Sequence, residues 1–305
     1  MTQAMATPMH FLIAGATGRQ GGAVVTALLT HPDIKISPQN IWAITRDAGA
    51  ASTQRLISSW PGINIVSGNL NSPDALFNQL GNILPQTAVF LAQAHGATEL
   101  LDAKGFIDAA ASHGVAYFVY SSVDRGGKEL SDVDPSYCKT FSDKFYIEKH
   151  LKSVAAQNPE MSYTILRPTW FADNAHWGFP GKLCMAGWKV WMGGKRMQVV
   201  CSRDLGRWAV EGLVRPERTR IKNEALSIAS EELSFEEFDG IWKRETGKGV
   251  PVTIGWLAML VIWLVRDLNT MFHFIDERGY GADLGWLRER VEPTSVAQWV
   301  NSIEF

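Results

Sequence analysis

The chain has 305 residues, 46% of them hydrophobic and 20% charged, with a formal net charge of -2. These are globular proportions, enough for one large domain or two intimate ones. The near-neutral balance excludes the basic footprint of a nucleic-acid binder, and the richest basic run, "VRPERTRIK", reads as a solvated loop.

Cys138, Cys184 and Cys201 stand far apart without a CxxC pair, so neither a disulfide framework nor a zinc site is expected. The seven histidines form no HxxxH pair, and no metal is expected. The start, "MTQAMATPMHFLIAG", lacks the basic opening and longer apolar core of a signal peptide. A reducing, cytoplasmic setting follows as an expectation.

In chain order, "HFLIAG" predicts a strand and "GGAVVTALLTH" a helix ending before Pro32. "IWAITR" and "INIVSG" predict the second and third strands. "SPDALFNQLG" predicts a helix with Ser72 at its N-cap. "TAVFLAQ" is a fourth strand, "ELLDAKGFIDAAASHG" a helix stopped by Gly114, and "VAYFVYSS" a fifth strand. "TFSDKFYIEKHLKSVAAQ" is a helix and "SYTILRP" a sixth strand. Continuous apolar runs alternating with amphipathic stretches predict βαβ units around a parallel, doubly wound α/β sheet of the Rossmann type.

The pattern changes after Pro168, where Trp, Gly, Pro and Met crowd residues 168–200. Short helical segments follow, "DLGRWAVEGLV" and "SFEEFDGIWKRETG". The expected division is a dinucleotide-binding domain over 1–167 and a smaller α+β substrate or partner lobe over 168–305, with a possible return of the chain to the sheet. Val250 to Val265 carries no charge. A membrane span needs about 20 apolar residues, so this shorter run, with Pro251 and Thr253, predicts a buried or interfacial helix and no membrane span.

Gly15, Gly18 and Gly21 form G-x-x-G-x-x-G at the first strand-to-helix junction. The first glycine permits the tight turn, the second lets a pyrophosphate approach the backbone, and the third lets helix and strand pack closely. The helix N-terminus adds N–H donors and the positive end of its dipole. Together they predict a dinucleotide loop over Gly15, Ala16, Thr17, Gly18, Arg19, Gln20 and Gly21. At the end of the second strand, "AITRD" places Arg46 where a 2′-phosphate reader belongs, favouring NADP(H) over NAD(H). The other reading has Asp47 take the ribose. Ser121 and Ser122 leave the fifth strand at the edge where ligands bind in open α/β sheets. They suit either a nicotinamide or substrate contact or a capping role.

Several stretches in order resemble the NmrA-like proteins, which are atypical short-chain dehydrogenase/reductases: "GATGRQGG", "TRD", "SGNLNSPDAL", "FLAQA", "FVYSSVDRGG", "FSDK", "LRPTWFADN", "RDLGRWA", "IASEELSFEEF" and "MFHFIDERGYGADLGWLRE". The match runs over nearly the whole chain and is weakest over 245–270. Asn69 stands where the family has aspartate, and its amide still suits adenine. The resemblance implies cofactor contacts at Gly15 to Gln20, Arg46, Asn69, Leu70, Ala92, Gln93, Lys144 and from Pro168 through Thr169 and Trp170 to Phe171. It implies either an NADPH-dependent reductase or a non-catalytic NADP(H) sensor that regulates a protein partner. The sensor reading leaves the nucleus open as a location.

Ordinary short-chain reductases carry Tyr-x-x-x-Lys on one helix face. Here Lys144 is present and Thr140 stands at the tyrosine position. Pro135 argues that the helix has not begun at Tyr137. Lys144 is therefore the catalytic candidate. It either binds the nicotinamide ribose alone or also supplies a proton, and an ordinary surface lysine is the remaining reading. Trp170, Phe171, Trp177, Trp188 and Trp191 suit the wall of a pocket for a flat hydrophobic substrate, or equally the core of the lobe.

Overall fold

The computed structural model of the chain describes residues 9–303. Most of the segment read for a leader lies outside the described residues. Its strands are, in order, β1 (His10–Ala14), β2 (Ile41–Thr45), β3 (Asn64–Ser67), β4 (Thr87–Leu91), β5 (Tyr117–Ser121), β6 (Ser162–Pro168), β7 (Trp170–Phe171), β8 (Met197–Val200), β9 (Glu224–Ile228) and β10 (Glu231–Leu233).

A seven-stranded sheet runs in the order β3-β2-β1-β4-β5-β6-β9. Each neighbouring pair from β3 to β6 is parallel, with Ala14 opposite Ile44 on one side and Leu91 on the other. This is the Rossmann order, and it reverses direction at β1 and β4. Strands β4 and β5 are buried throughout, as the apolar runs "TAVFL" and "YFVYS" require of strands covered on both faces. The six anticipated strands are present. The seventh, β9, begins with Glu224 and is too short and too mixed to stand out in the sequence.

The chain divides into two compact units. One runs to Ser122, then takes Asp143–Leu166 and Leu205–Leu226; the other takes Val123–Ser142, Arg167–Asp204 and the chain from Ser227 onward. The boundary expected at 167/168 is thus one of several crossings. The return over 205–226 has a packing reason. The Ser202–Val214 helix meets the Arg19–Leu29 helix at Gly206, where a Cβ would stand 2.5 Å from the Ala23 carbonyl oxygen. The first unit's core joins Leu12, Val66, Phe77, Phe106, Phe118, Ile147 and Leu151.

In the second unit a three-stranded sheet, β10-β8-β7, pairs β8 antiparallel to β10 and parallel to β7. The stretch after Pro168 is more regular than its composition suggested. It holds the Gly178–Trp191 helix, whose Met185 and Trp188 enter a core with Trp170, Phe238, Trp242 and Phe272.

The uncharged run forms a Gly255–Leu264 helix with only Ala258 and Ile262 buried. Among the described residues no single helix is long and apolar enough to cross a membrane, and this helix bends by 107° into Arg266–Arg278.

Candidate dinucleotide and active site

The reversal of strand order puts the exits of β1 and β4 side by side, the place where open α/β sheets bind ligands. Gly15 leaves β1 with φ of 78°, a region that penalises any Cβ. A Cβ there would also stand 2.8 Å from the Ala92 carbonyl oxygen. The turn closes through Gly18 N–H donating to Gly15 O at 2.9 Å, and the first helical bond runs from Gly22 N to Gly18 O. The amides of Gln20 and Gly21 precede that bond and have no intrahelical acceptor, as at any helix start.

The three glycines are required differently. At Gly21 a Cβ would lie 2.2 Å from Gly15 O, inside the strand–helix packing. At Gly18 it would meet only Gly15 O, at 3.3 Å. That open side is the space a pyrophosphate needs. Ala16 is buried beneath the turn, while Thr17, Gly18 and Arg19 are exposed on it.

Around this turn stand the other expected cofactor residues of the first unit. Arg46 is exposed at the exit of β2. The neighbouring Asp47 carboxylate accepts from Gly49 N at 2.8 Å in a local turn. Asn69 is exposed after β3, and Leu70 packs against the core. After β4, the side-chain oxygen of Gln93 is buried without a hydrogen-bond donor among the described residues. A buried acceptor left so costs about 1–3 kcal/mol, and a hydroxyl-rich ligand would satisfy it. The orphaned amide, the open side of Gly18 and the helix start together fit a dinucleotide.

Ser121 ends β5 and donates to the Gln20 side-chain oxygen at 2.6 Å, tying that strand to the glycine turn. Ser122 donates to the buried Glu148 carboxylate. Neither serine caps a helix.

Lys144 lies in the first turns of the Lys139–Gln157 helix. Its Nζ donates to Glu99 Oε1 at 2.7 Å and stands 5.7 Å from the centre of the Tyr120 ring. The Glu99 side chain is wholly buried and that of Lys144 is 13% exposed. His95 Nδ1 holds the other Glu99 oxygen at 3.1 Å. Lys144 is therefore not an ordinary surface lysine. Glu99 and His95 were not legible as partners. In sequence Glu99 is a first-turn acid that suits the helix dipole, and 45 residues separate it from Lys144.

Tyr137 precedes the helix, as Pro135 predicts, and donates to Glu277 at 2.9 Å. Partial burial and that carboxylate push its phenol up to about 12, so it is a poor proton source near neutrality.

Pro168, Thr169, Trp170 and Phe171 belong to the second unit. Thr169 N and Oγ1 donate to Ile228 O. Trp170 packs on Phe272 with ring centres 5.8 Å apart. Of the five aromatic side chains read as a pocket wall, Trp170 and Trp188 are buried core and Trp191 packs against it. Phe171 is half-buried and Trp177 exposed. The core reading therefore describes Trp170 and Trp188, which the lobe packs into its own interior.

The NmrA-like family profile matches residues 9–300. FrzB of Cladobotryum sp, an NmrA-like family domain-containing oxidoreductase, is 25% identical over 317 residues, spanning 89% of this chain and 85% of its own. The Escherichia coli NADPH-dependent quinone oxidoreductase complexed with NADPH superposes with a TM-score of 0.70 at 18% identity, over 95% of this chain and 98% of its own. Citrobacter sp. triphenylmethane reductase complexed with NADP(H) does so with a TM-score of 0.69 at 16% identity, over the same shares, 95% and 98%. At these identities the structural likeness is one of fold.

Proposed function

The chain belongs to the NmrA-like family, matched from residue 9 to residue 300, and from that premise we propose an NADPH-dependent oxidoreductase of the atypical short-chain type acting on a hydrophobic, aromatic small molecule. The observation that carries the reading is the Lys144–Glu99 pair at 2.7 Å, an ammonium fixed on the unit that also carries the glycine turn. The buried carboxylate holds the ammonium in one place, as both ribose binding and proton delivery require. The relatives' names also speak for turnover rather than for the sensor.

The bound nicotinamide would supply the hydride. The chain supplies the rest. The turn from Gly15 to Gly18 and the helix amides after it receive the pyrophosphate. Arg46 reads the 2′-phosphate with its planar, bidentate donors, while Asp47 is engaged by Gly49. Gln93 accepts from a ribose hydroxyl. Lys144 orients the nicotinamide ribose and, directly or through a water, donates the proton that follows reduction. Glu99 is its positioning residue and His95 steadies Glu99. The three cysteines are free, which suits a reducing cytoplasm.

The test is NADPH consumption by the full chain against a panel of quinones, enones and imines, with NADPH binding titrated in parallel. Turnover that disappears in Lys144→Met is the expected result. Tight NADPH binding with no turnover on any member would overturn the enzyme reading, and absence of NADPH binding would overturn the cofactor reading.

A further inference from the structure

The Gly255–Leu264 helix inverts the usual arrangement of a surface helix. An ordinary one buries its apolar stripe and exposes charge. Here Trp256, Leu260, Trp263 and Leu264 recur at i, i+4, i+7 and i+8 and are 68%, 43%, 69% and 64% exposed. The buried side is the smaller one. Ala258 packs with Leu183 and Ala186, and Ile262 enters the second unit's core. Ile254 and Val265, at the two ends, are exposed as well. Single exposed apolar side chains need no explanation, but a contiguous stripe marks an interaction site.

The surrounding charge says what kind of site. Between Lys248 and Arg266 the chain carries no charged residue, and the adjoining Gly178–Trp191 helix carries only Lys182 and Lys189. All four cations are exposed. Lys182 lies beside the stretch, its carbonyl accepting from Thr253 N at 3.2 Å. At the helix start, a Cβ on Gly255 would stand 3.2 Å from Val190, the neighbour of Lys189. The result is a tryptophan and leucine face whose two segments carry cations and no carboxylate; the adjoining acids are Asp239, engaged by Val250 N at 2.6 Å, and Asp267, which follows Arg266.

We propose that this face docks the protein on a bilayer surface bearing anionic headgroups. Aliphatic side chains would enter the acyl boundary, indoles would sit at the headgroup level, and the four cations would meet lipid phosphates and carboxylates. Two weak signals, apolar insertion and basic attraction, are what reversible surface binding requires. The helix is too short to span, and its 107° bend at Val265 turns the following segment away from the same axis. A second copy on this face would oppose four cations with four cations, which a bilayer does not.

The experiment is co-sedimentation of the full chain with vesicles of phosphatidylcholine alone and of phosphatidylcholine with one quarter phosphatidylserine, at low and high salt. Binding should favour the anionic vesicles and weaken with salt. Leu260→Glu should reduce binding by about tenfold or more. Lys182→Ala with Lys189→Ala should remove most of the preference for anionic lipid. Thermal unfolding and NADPH titration of each variant check the fold. No vesicle binding by the wild type, or Leu260→Glu binding as the wild type does, would overturn the proposal. A wild-type dimer that Leu260→Glu dissociates, without vesicle binding, would instead make the face an interface between copies and equally overturn it.

Discussion

Gly18 and Gly21 stand three residues apart and exclude side chains for different reasons. At Gly21 the obstacle is the protein's own backbone, 2.2 Å from a would-be Cβ. Gly21→Ala should therefore lower stability, by about 1–3 kcal/mol as overpacking does. At Gly18 the backbone is already extended, with φ of -93°, so Gly18→Val should fold normally and lose NADPH binding. Denaturation and cofactor titration of the two variants separate these outcomes; a well-folded Gly18→Val that keeps NADPH affinity would remove the phosphate cradle. For Arg46→Ala the NADPH affinity should fall by about 1.5–3 kcal/mol, the worth of a charge-assisted contact, with NADH affinity little changed. Equal losses for both cofactors would assign Arg46 another role. Lys144 invites a paired test. Lys144→Met should cut kcat by about 10²–10⁴ if the lysine gives the proton, or weaken cofactor binding with kcat kept at saturation if it holds ribose alone. It also strands the wholly buried Glu99, and breaking such a pair costs about 3–5 kcal/mol. Adding Glu99→Gln should recover much of that stability, and additive losses in the double variant would mean that the two groups do not act as a pair. The glycine turn was legible because its chemistry is local. Glu99 was not, because only the packing of two helices brings it to Lys144.

The elements divide along the same line. The strands β1 to β6 and the helices between them follow from local periodicity and stop signals, as at Gly114, whose φ of 76° ends its helix. Ser72 stands at its expected N-cap position without a side-chain capping bond. The Gly178–Trp191 helix was hidden by its glycines and Pro180, which local propensity reads as breakers. Its place is fixed by packing, with Gly187 so close to Phe272 that a Cβ would stand 2.5 Å from the ring. Between elements of the first unit, one clamp is sensitive to pH. His31, just after the Arg19–Leu29 helix, accepts a hydrogen bond at Nε2 from Arg215 at 2.9 Å, and Arg215 also grips Glu211 at 2.7 Å. Burial first, then Arg215, hold the His31 imidazole below its ordinary 6.5, against the opposing pull of Glu211 and Asp33. The unfolded chain thus binds the proton more readily. Its contribution to stability is full above 6.5 and is lost as pH falls through that value toward the lower folded one. Denaturant unfolding measured from about pH 7.5 to about pH 5 should show this loss, and His31→Gln should flatten that part of the profile. An unchanged slope in the variant would assign the acid sensitivity elsewhere.

On the scale of the whole chain, the two units are threaded through one another in sequence, so that neither is one continuous segment. Composition signalled the change of character after Pro168 but not the early departure at Val123 or the return at Leu205, which depend on where long-range contacts close. The glycine turn, Arg46, Gln93, Glu99 and Lys144 belong to the first unit, and all three cysteines to the second. That distribution makes the thiols a report on the unit that does not carry the glycine turn. Cys138 and Cys201 are buried, and burial holds the Cys138 thiol up and pushes Cys201 to about 12. Neither presents a thiolate near neutrality, so labelling by a disulfide reagent must wait for opening of the second unit. A Cys184→Ser variant leaves these two as the only sites. A ligand that binds only the folded state at about one hundred times its Kd adds about 2.7 kcal/mol. When opening is fast relative to labelling, that stabilisation slows the reaction roughly a hundredfold. If the five chain crossings make the two units open together, NADPH should slow labelling of Cys138 and Cys201 by about that factor. A labelling rate indifferent to NADPH, under conditions where NADPH raises the thermal midpoint, would show that the two units open independently.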